Sequence, residues 1–177
     1  MRELDVREVD GSWAGIVFWH SLEHLPRAGE ALDHASSILA EGGVLVIALP
    51  NPESLQAALF GDRWLALDLP RHLVHVPASA LLRRLAERGL RIDRVSYLRG
   101  GQVAFGWLHG FVGLLPGRLD LYNAIRRPEA RREPLSGPRR VAALTVGALL
   151  LPAAGASAGA EAALRRGGTV YVEARRV

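Results

Sequence analysis

Two patterns of apolar and polar positions alternate along the chain. Gly15 to Trp19 (Gly-Ile-Val-Phe-Trp) is a short, wholly apolar run after the turn-forming Asp10-Gly11-Ser12, the pattern of a strand buried on both faces. From Arg27 to Ala40, the apolar residues Ala28, Ala31, Leu32, Ala35, Ile38 and Leu39 recur at intervals of three and four. That period predicts an amphipathic helix, with Gly42-Gly43 as its stop. Gly43 to Leu49 is again continuously apolar and ends at Pro50-Asn51-Pro52, which predicts a second strand. Strand, helix and strand in this order make a parallel crossover with a right-handed connection.

The pattern continues downstream. Ala78 to Arg88 carries Leu81, Leu82, Leu85 and Ala86 on one side, with Gly89 just past its end, and predicts a second helix. Arg91 to Leu98, with Ile92, Val95 and Tyr97, predicts a third strand, and Thr169 to Ala174 a fourth. Four strands with interleaved helices predict an α/β layer protein, and 177 residues at 49% apolar content suffice for a single domain.

Residues 100–168 form an insertion before the last strand, rich in glycine and proline. Within it, Val141 to Ala160 carries no charge and has the length of a bilayer span, roughly 20 residues. Pro152, the glycines and the many alanines make the run weakly hydrophobic, and arginine pairs at both ends (Arg139-Arg140 and Arg165-Arg166) give no orientation signal. The pattern therefore predicts a pair of buried or surface-lying helices, with peripheral membrane contact, ahead of a spanning segment.

Composition narrows the chemistry. The absence of cysteine excludes disulfides, thiolate zinc sites and cysteine nucleophiles. The first ten residues are too charged to hold the apolar stretch of a secretory signal, so a cytoplasmic location is expected. The net charge is +4 and all 22 basic side chains are arginine. Arg126, Arg127, Arg131, Arg132, Arg139 and Arg140 gather in a proline-broken segment together with Glu129 and Glu133. That mixture reads as a solvated loop rather than the dense basic stripe of a nucleic-acid surface, and no nucleic-acid partner is expected.

Taken as a run, the residues resemble a known family. Ser12-Trp13-Ala14-Gly15-Ile16-Val17-Phe18-Trp19-His20-Ser21-Leu22-Glu23-His24-Leu25 is similar to the fourth strand and following loop of class I S-adenosylmethionine-dependent methyltransferases of the ubiquinone-biosynthesis type. Ala31-Leu32 and Ile38-Leu39-Ala40-Glu41-Gly42-Gly43-Val44-Leu45-Val46-Ile47 resemble that family's next helix, its "LLKPGG"-like turn and its fifth strand. Pro50-Asn51-Pro52, Arg63-Trp64, Asp68-Leu69-Pro70-Arg71-His72-Leu73 and the helix after Pro77 are similar to one bacterial branch of it. The resemblance implies a partial Rossmann-like doubly wound sheet, the second half of the methyltransferase fold, and S-adenosyl-L-methionine as cofactor. It also implies cofactor contacts from Phe18, Trp19 and His20, and a small-molecule, lipid-like or glycan-type acceptor. For Phe18 and Trp19 the competing role is core packing.

Two departures stand out. Ala14 occupies a position that is usually acidic in the family. The glycine-rich strand-to-helix turn that holds the cofactor is also missing, because Gly42-Gly43, Gly100-Gly101 and Gly167-Gly168 follow a predicted helix, a strand and a loop. The resemblance thus implies a chain truncated at its amino terminus, with Gly15 to Trp19 left as an edge strand open to self-association. An inactive remnant or interaction module is the alternative function.

His20-Ser21-Leu22-Glu23-His24 has the H-x-x-E-H spacing of a zinc-dependent peptidase, but that chemistry needs a helix to aim both histidines. Some methyltransferases of quinone biosynthesis and of small-RNA 2′-O-methylation carry an E-x-x-E-H cluster here that holds a divalent ion. The resemblance therefore implies a metal reading on His20, Glu23 and His24, with His72 or His75 as a further ligand. Imidazole with carboxylate suits zinc-like ions, while a histidine in place of the first carboxylate disfavours magnesium. The alternative is a hydrogen-bonded loop that caps the next helix. In methyl transfer the sulfonium supplies the electrophile, so the protein must align a nucleophile and take its proton. His20 and His24, just beyond a strand end, are the first candidates for that role, and His72, in a lid-like segment, is the next.

Overall fold

The computed structural model describes residues 6–98, 101–117, 119–130 and 133–177. The first two apolar runs pair as parallel strands, β1 (Trp13–Trp19) against β2 (Leu39–Pro50), in a register from Ile16 opposite Leu45 to Trp19 opposite Ala48. Between them runs the crossover helix α1 (Ala28–Ser37). With β3 (Leu90–Ser96) and β4 (Thr169–Arg176) they form one sheet in the order β1-β2-β4-β3. β4 runs antiparallel to both of its neighbours. The architecture is mixed α/β, as the periodicity predicts.

Gly42-Gly43 is not a helix stop. α1 ends at Ser37, and residues 39–43 already belong to β2. Trp13 pairs with Leu39 while Gly15 pairs with Val44, so the extra residues bulge out of the ladder. A Cβ on Gly43 would lie 2.8 Å from the Ala40 carbonyl oxygen and 2.9 Å from that of Trp13. Only glycine fits this close backbone approach.

One sheet face carries Phe18, Leu45, Ile47, Val170 and Val172, which pack against Leu32 and Ala35 of α1. Leu81 and Leu85 of the helix Ala78–Glu87, two of the apolar positions that the period predicts, join the same core. By alternation β1 turns Val17 and Trp19 to the opposite face, where they are 60% and 50% exposed. β1 is thus an edge strand buried on one side, not on both as its apolar run suggests.

The short helix α2 (Leu55–Phe60) follows β2, and the helix Ala78–Glu87 is α3. Asp33 of α1 accepts from Arg84 of α3 at 2.8 and 2.6 Å and also pairs with Arg88. The Arg84 hydrogen bond, against a smaller opposing effect of burial and aided by Arg88, holds the Asp33 carboxyl below its ordinary 3.8. A depressed pKa stabilises the fold above the ordinary value and is lost as the pH falls through the folded one. Asp33→Asn is therefore expected to lower the unfolding free energy at neutral pH by less than about 1 kcal/mol for so solvated a pair, read as a slightly lower urea midpoint. At pH values below the folded pKa the two proteins should melt alike.

Residues 101–163 build a second, helical cluster from α4 (Gly101–Leu114), α5 (Leu121–Ile125) and α6 (Gly137–Ala163). The predicted pair of helices over 141–160 is instead one continuous helix of 27 residues with Pro152 inside it. Pro152 is exposed, so the backbone carbonyl that its ring leaves without a partner can be solvated. Of the basic cluster, Arg131 and Arg132 lie outside the described residues. The solvated-loop reading holds only in part for the others. Arg139 and Arg140 sit in the first turn of α6 and donate to the Gly117 and Ala124 carbonyls, and Arg126 lies 4.4 Å over the Tyr122 ring.

α2 packs with the helical cluster through Leu55, Ala57 and Phe60. A Cβ on Gly110 of α4 would lie 2.3 Å from the buried Phe60 ring. Gly110→Val should overpack this contact and cost about 1–3 kcal/mol, read as a lower thermal midpoint. Glu161 of α6 is fully buried and accepts from the Gln56 backbone amide at 2.9 Å, the Gln56 side chain at 2.9 Å and the Trp107 indole at 2.8 Å.

Candidate functional site at the carboxyl ends of the parallel strands

β1 hands over to the site through His20, whose amide still donates to the Ala48 carbonyl at 2.8 Å while its own φ is +47°. This left-handed conformation is uncommon for a residue with a Cβ. It turns the chain sharply into a single 3-10 turn, Leu22–His24, which ends at the extended Leu25. The H-x-x-E-H spacing therefore has no α-helix under it. Nor does the loop cap α1, whose N-cap residue is Arg27 with no side-chain cap bond.

A second segment crosses this turn. The amides of Leu73 and Val74 donate to the Glu23 carbonyl at 2.8 and 3.3 Å, and His24 Nδ1 donates to the Arg71 carbonyl at 2.8 Å. The segment that reads as a lid is thus strapped to the loop by backbone bonds, with Arg71 paired to Asp68 at 3.1 Å. His72 Nδ1 donates to the Ala66 carbonyl at 2.7 Å, and the His24 and His72 rings stand edge to face with centroids 4.9 Å apart.

These bonds fix the tautomers. A carbonyl only accepts, so Nδ1 carries the proton in the neutral form of both rings, and each Nε2 keeps its lone pair. A backbone carbonyl on the far ring nitrogen is also the arrangement that orients metal-ligating histidines. Glu23 is 2% exposed; its Oε1 accepts from His20 Nδ1 at 3.3 Å, while Oε2 is buried without a hydrogen-bond partner. Burial pushes the Glu23 carboxyl up, but the His20 hydrogen bond, its own backbone amide and the charges of His20 and His72 outweigh it. The net position is below the usual 4.5. One ligand atom each from Glu23, His24 and His72 lies within 4.8 Å of the others.

The grouping differs from the one the sequence suggests. His72 replaces His20 beside Glu23 and His24, and His20 holds the other carboxylate oxygen. His75 donates through Nε2 to the Leu67 carbonyl at 3.1 Å and stands outside the group. Phe18 packs in the core, and Trp19 lies at the open edge with its ring 6.2 Å from that of Tyr171.

A cavity of about 340 Å³ opens over this cluster, with Pro50, Gly168 and Thr169 among its lining residues and His20, Glu23, His24 and His72 along its wall. Gln56, Phe105 and Tyr122 also line it, contributed by α2, α4 and α5. Sequence reasoning missed these three, because no local pattern links them to the strand ends. A larger cavity of about 510 Å³, lined by Asp62, Leu65, His109 and Asp120, lies away from the strand ends and lacks the histidine cluster. In open α/β sheets the chemistry sits outside the carboxyl ends of the strands, which favours the smaller one.

Among solved structures, the [4+2]-cyclase SpnF superimposes with a TM-score of 0.51 at 16% identity, covering 98% of this chain and 54% of that one. An S-adenosylmethionine-dependent methyltransferase from Archaeoglobus fulgidus also gives 0.51, at 19% identity, covering 99% of this chain and 66% of that one. The chain thus spans between half and two thirds of their length, and these likenesses establish the Rossmann-like methyltransferase fold. No curated protein sequence matches. The family model described as "Methyltransferase domain" matches residues 2–95, which hold β1, β2 and the histidine cluster, and by that match over more than half its length the chain belongs to the methyltransferase-domain family.

Proposed function

We propose that this chain provides the acceptor side of an S-adenosylmethionine-dependent methyltransferase of the ubiquinone-biosynthesis type, acting on a small-molecule, lipid-like or glycan-type acceptor. The observation that carries the reading is the convergence of the Glu23 carboxylate and two histidines on one cavity at the carboxyl ends of the parallel strands. S-adenosylmethionine supplies an electrophilic methyl group. His24 or His72 takes the acceptor's O–H or N–H proton on Nε2, the nitrogen that its backbone bond leaves free. Glu23 is charged at neutral pH and stabilises the imidazolium that forms. Phe18 and His20 align the strand end, and the exposed Trp19 indole offers a stacking surface for the cofactor.

Among the described residues no glycine-rich turn joins β1 or β2 to the helix that follows it, and Gly101, which opens α4 after β3, stands at the far edge of the sheet, so these residues do not supply the amides that usually hold the cofactor. Calorimetry on the chain should accordingly find binding of S-adenosylmethionine weaker than low-micromolar. Low-micromolar binding to a monomer would contradict this assignment of roles.

A specific observation favours metal assistance. The partnerless Glu23 Oε2 and the two oriented histidines fit a zinc-like divalent ion, which would be held by Glu23, His24 and His72. Chelator treatment should then abolish methyl transfer, and added zinc or manganese should restore it. Unchanged turnover in chelator leaves proton transfer by the histidines as the mechanism.

A further inference from the structure

We propose that α6 docks this protein on an anionic bilayer surface, lying in the plane of the interface. The helix carries an uncharged run from Val141 to Ala160, roughly 30 Å long at 1.5 Å per residue. Only one stripe of it packs on the domain, through Ala143, Gly147, Ala154, Ala158 and Glu161. Just 22% of its most apolar 18-residue window is buried. Val146 and Leu150 pack partly against the same cluster, while Val141 at 64%, Leu149 at 76% and Leu151 at 57% exposure face outward. A soluble protein rarely leaves so continuous an apolar face uncovered.

The charges at the helix ends select the occupant. Arg139 and Arg140 open the helix and Arg165 and Arg166 follow it, and all four are exposed. Three of them donate to the carbonyls of Gly117, Ala124 and Glu53, and none of the four forms an ion pair with a carboxylate among the described residues. Because both ends are basic, a second copy laid along α6 in either direction sets arginine against arginine. Anionic headgroups complement both ends at once, and the apolar side chains between them enter the headgroup and acyl boundary.

Orientation follows from Glu161. A spanning helix would have to leave the domain, breaking the three hydrogen bonds to the Glu161 carboxylate and stripping Ala143, Ala154 and Ala158 of their packing. An in-plane helix keeps every one of these contacts. It also accounts for arginines at both ends, since both ends then lie at the same surface.

The test is sedimentation of the full chain with vesicles of phosphatidylcholine, with and without phosphatidylglycerol. The chain should pellet with the anionic vesicles, bind neutral ones more weakly, and leave the membrane in alkaline carbonate. The double variant Leu149→Glu, Leu151→Glu should lose about tenfold or more in vesicle affinity, because two exposed leucines that would enter the bilayer are replaced by charges. Both positions are exposed, so its melting temperature should not change. The proposal would be overturned by no pelleting with anionic vesicles, by equal binding of the double variant, or by retention after carbonate washing, which indicates a span. A dimer in light scattering that the same variant splits would also overturn it, by assigning the face to a second copy.

Discussion

Replacing His24 or His72 by alanine is expected to lower methyl transfer by about a hundred- to ten-thousand-fold, the usual contribution of a positioned general base. The measurement is transfer of labelled methyl from saturating S-adenosylmethionine to a small-molecule and lipid extract of the producing cells. Both histidines donate Nδ1 to a backbone carbonyl, so alanine removes the free nitrogen without orphaning a buried donor. Fold and cofactor affinity should therefore survive. His20→Ala should act differently. His20 bonds the Glu23 carboxylate at 3.3 Å, so its loss frees the carboxylate and shifts the pH profile of turnover more than its maximum. Activity that falls only in step with an earlier melt would make the cluster structural, and near wild-type rates in all three variants would remove it from the chemistry. An inactive remnant would show no labelled product with the unaltered chain.

The second large effect falls on stability. Glu161→Ala deprives the Gln56 amide, the Gln56 side chain and the Trp107 indole of their shared acceptor inside the protein. Leaving one side of a buried charged network unpaired costs about 3–5 kcal/mol, a large part of the roughly 5–15 kcal/mol that holds a domain together. The urea midpoint should fall accordingly. Glu161→Gln retains one acceptor oxygen and should sit between the two. The damage should also reach the site, because Gln56 lines the cavity and is held between Glu161 and the Val103 carbonyl at 3.0 Å. An unchanged midpoint would show that these bonds contribute nothing net.

The parallel crossover was legible because its evidence is local: two continuous apolar runs flank a three-and-four period. The boundary at residues 38–43 was not. Ile38 and Leu39 continue the helical period and Gly42-Gly43 imitates a stop, yet pairing of Trp13 with Leu39 draws these residues into β2. Tertiary pairing overrides local pattern there. For α6, Pro152 and the glycines suggested a break, but the proline faces solvent and the helix continues through it. Glu161 drew no attention as a lone charge after an apolar run, although it is the hub that joins α2, α4 and α6.

The site was legible in half. His20, Glu23 and His24 share one short stretch, and a strand end is where this fold puts its chemistry. What the linear pattern cannot contain is the strap that brings His72 to Glu23 and His24 while leaving His20 behind the carboxylate. That exchange depends on backbone bonds from Leu73 and Val74 to the Glu23 carbonyl, and amides carry no sequence signature.

The most direct test of the central claim, that this chain presents a methyl-transfer site at the carboxyl ends of β1 and β2, is photo-crosslinking with methyl-labelled S-adenosylmethionine at a concentration high enough to offset weak binding. The account predicts label on the peptide containing Phe18, Trp19 and His20, removed by competing S-adenosylhomocysteine. Label that resists competition, or that maps to the cavity lined by Asp62 and His109, would contradict it.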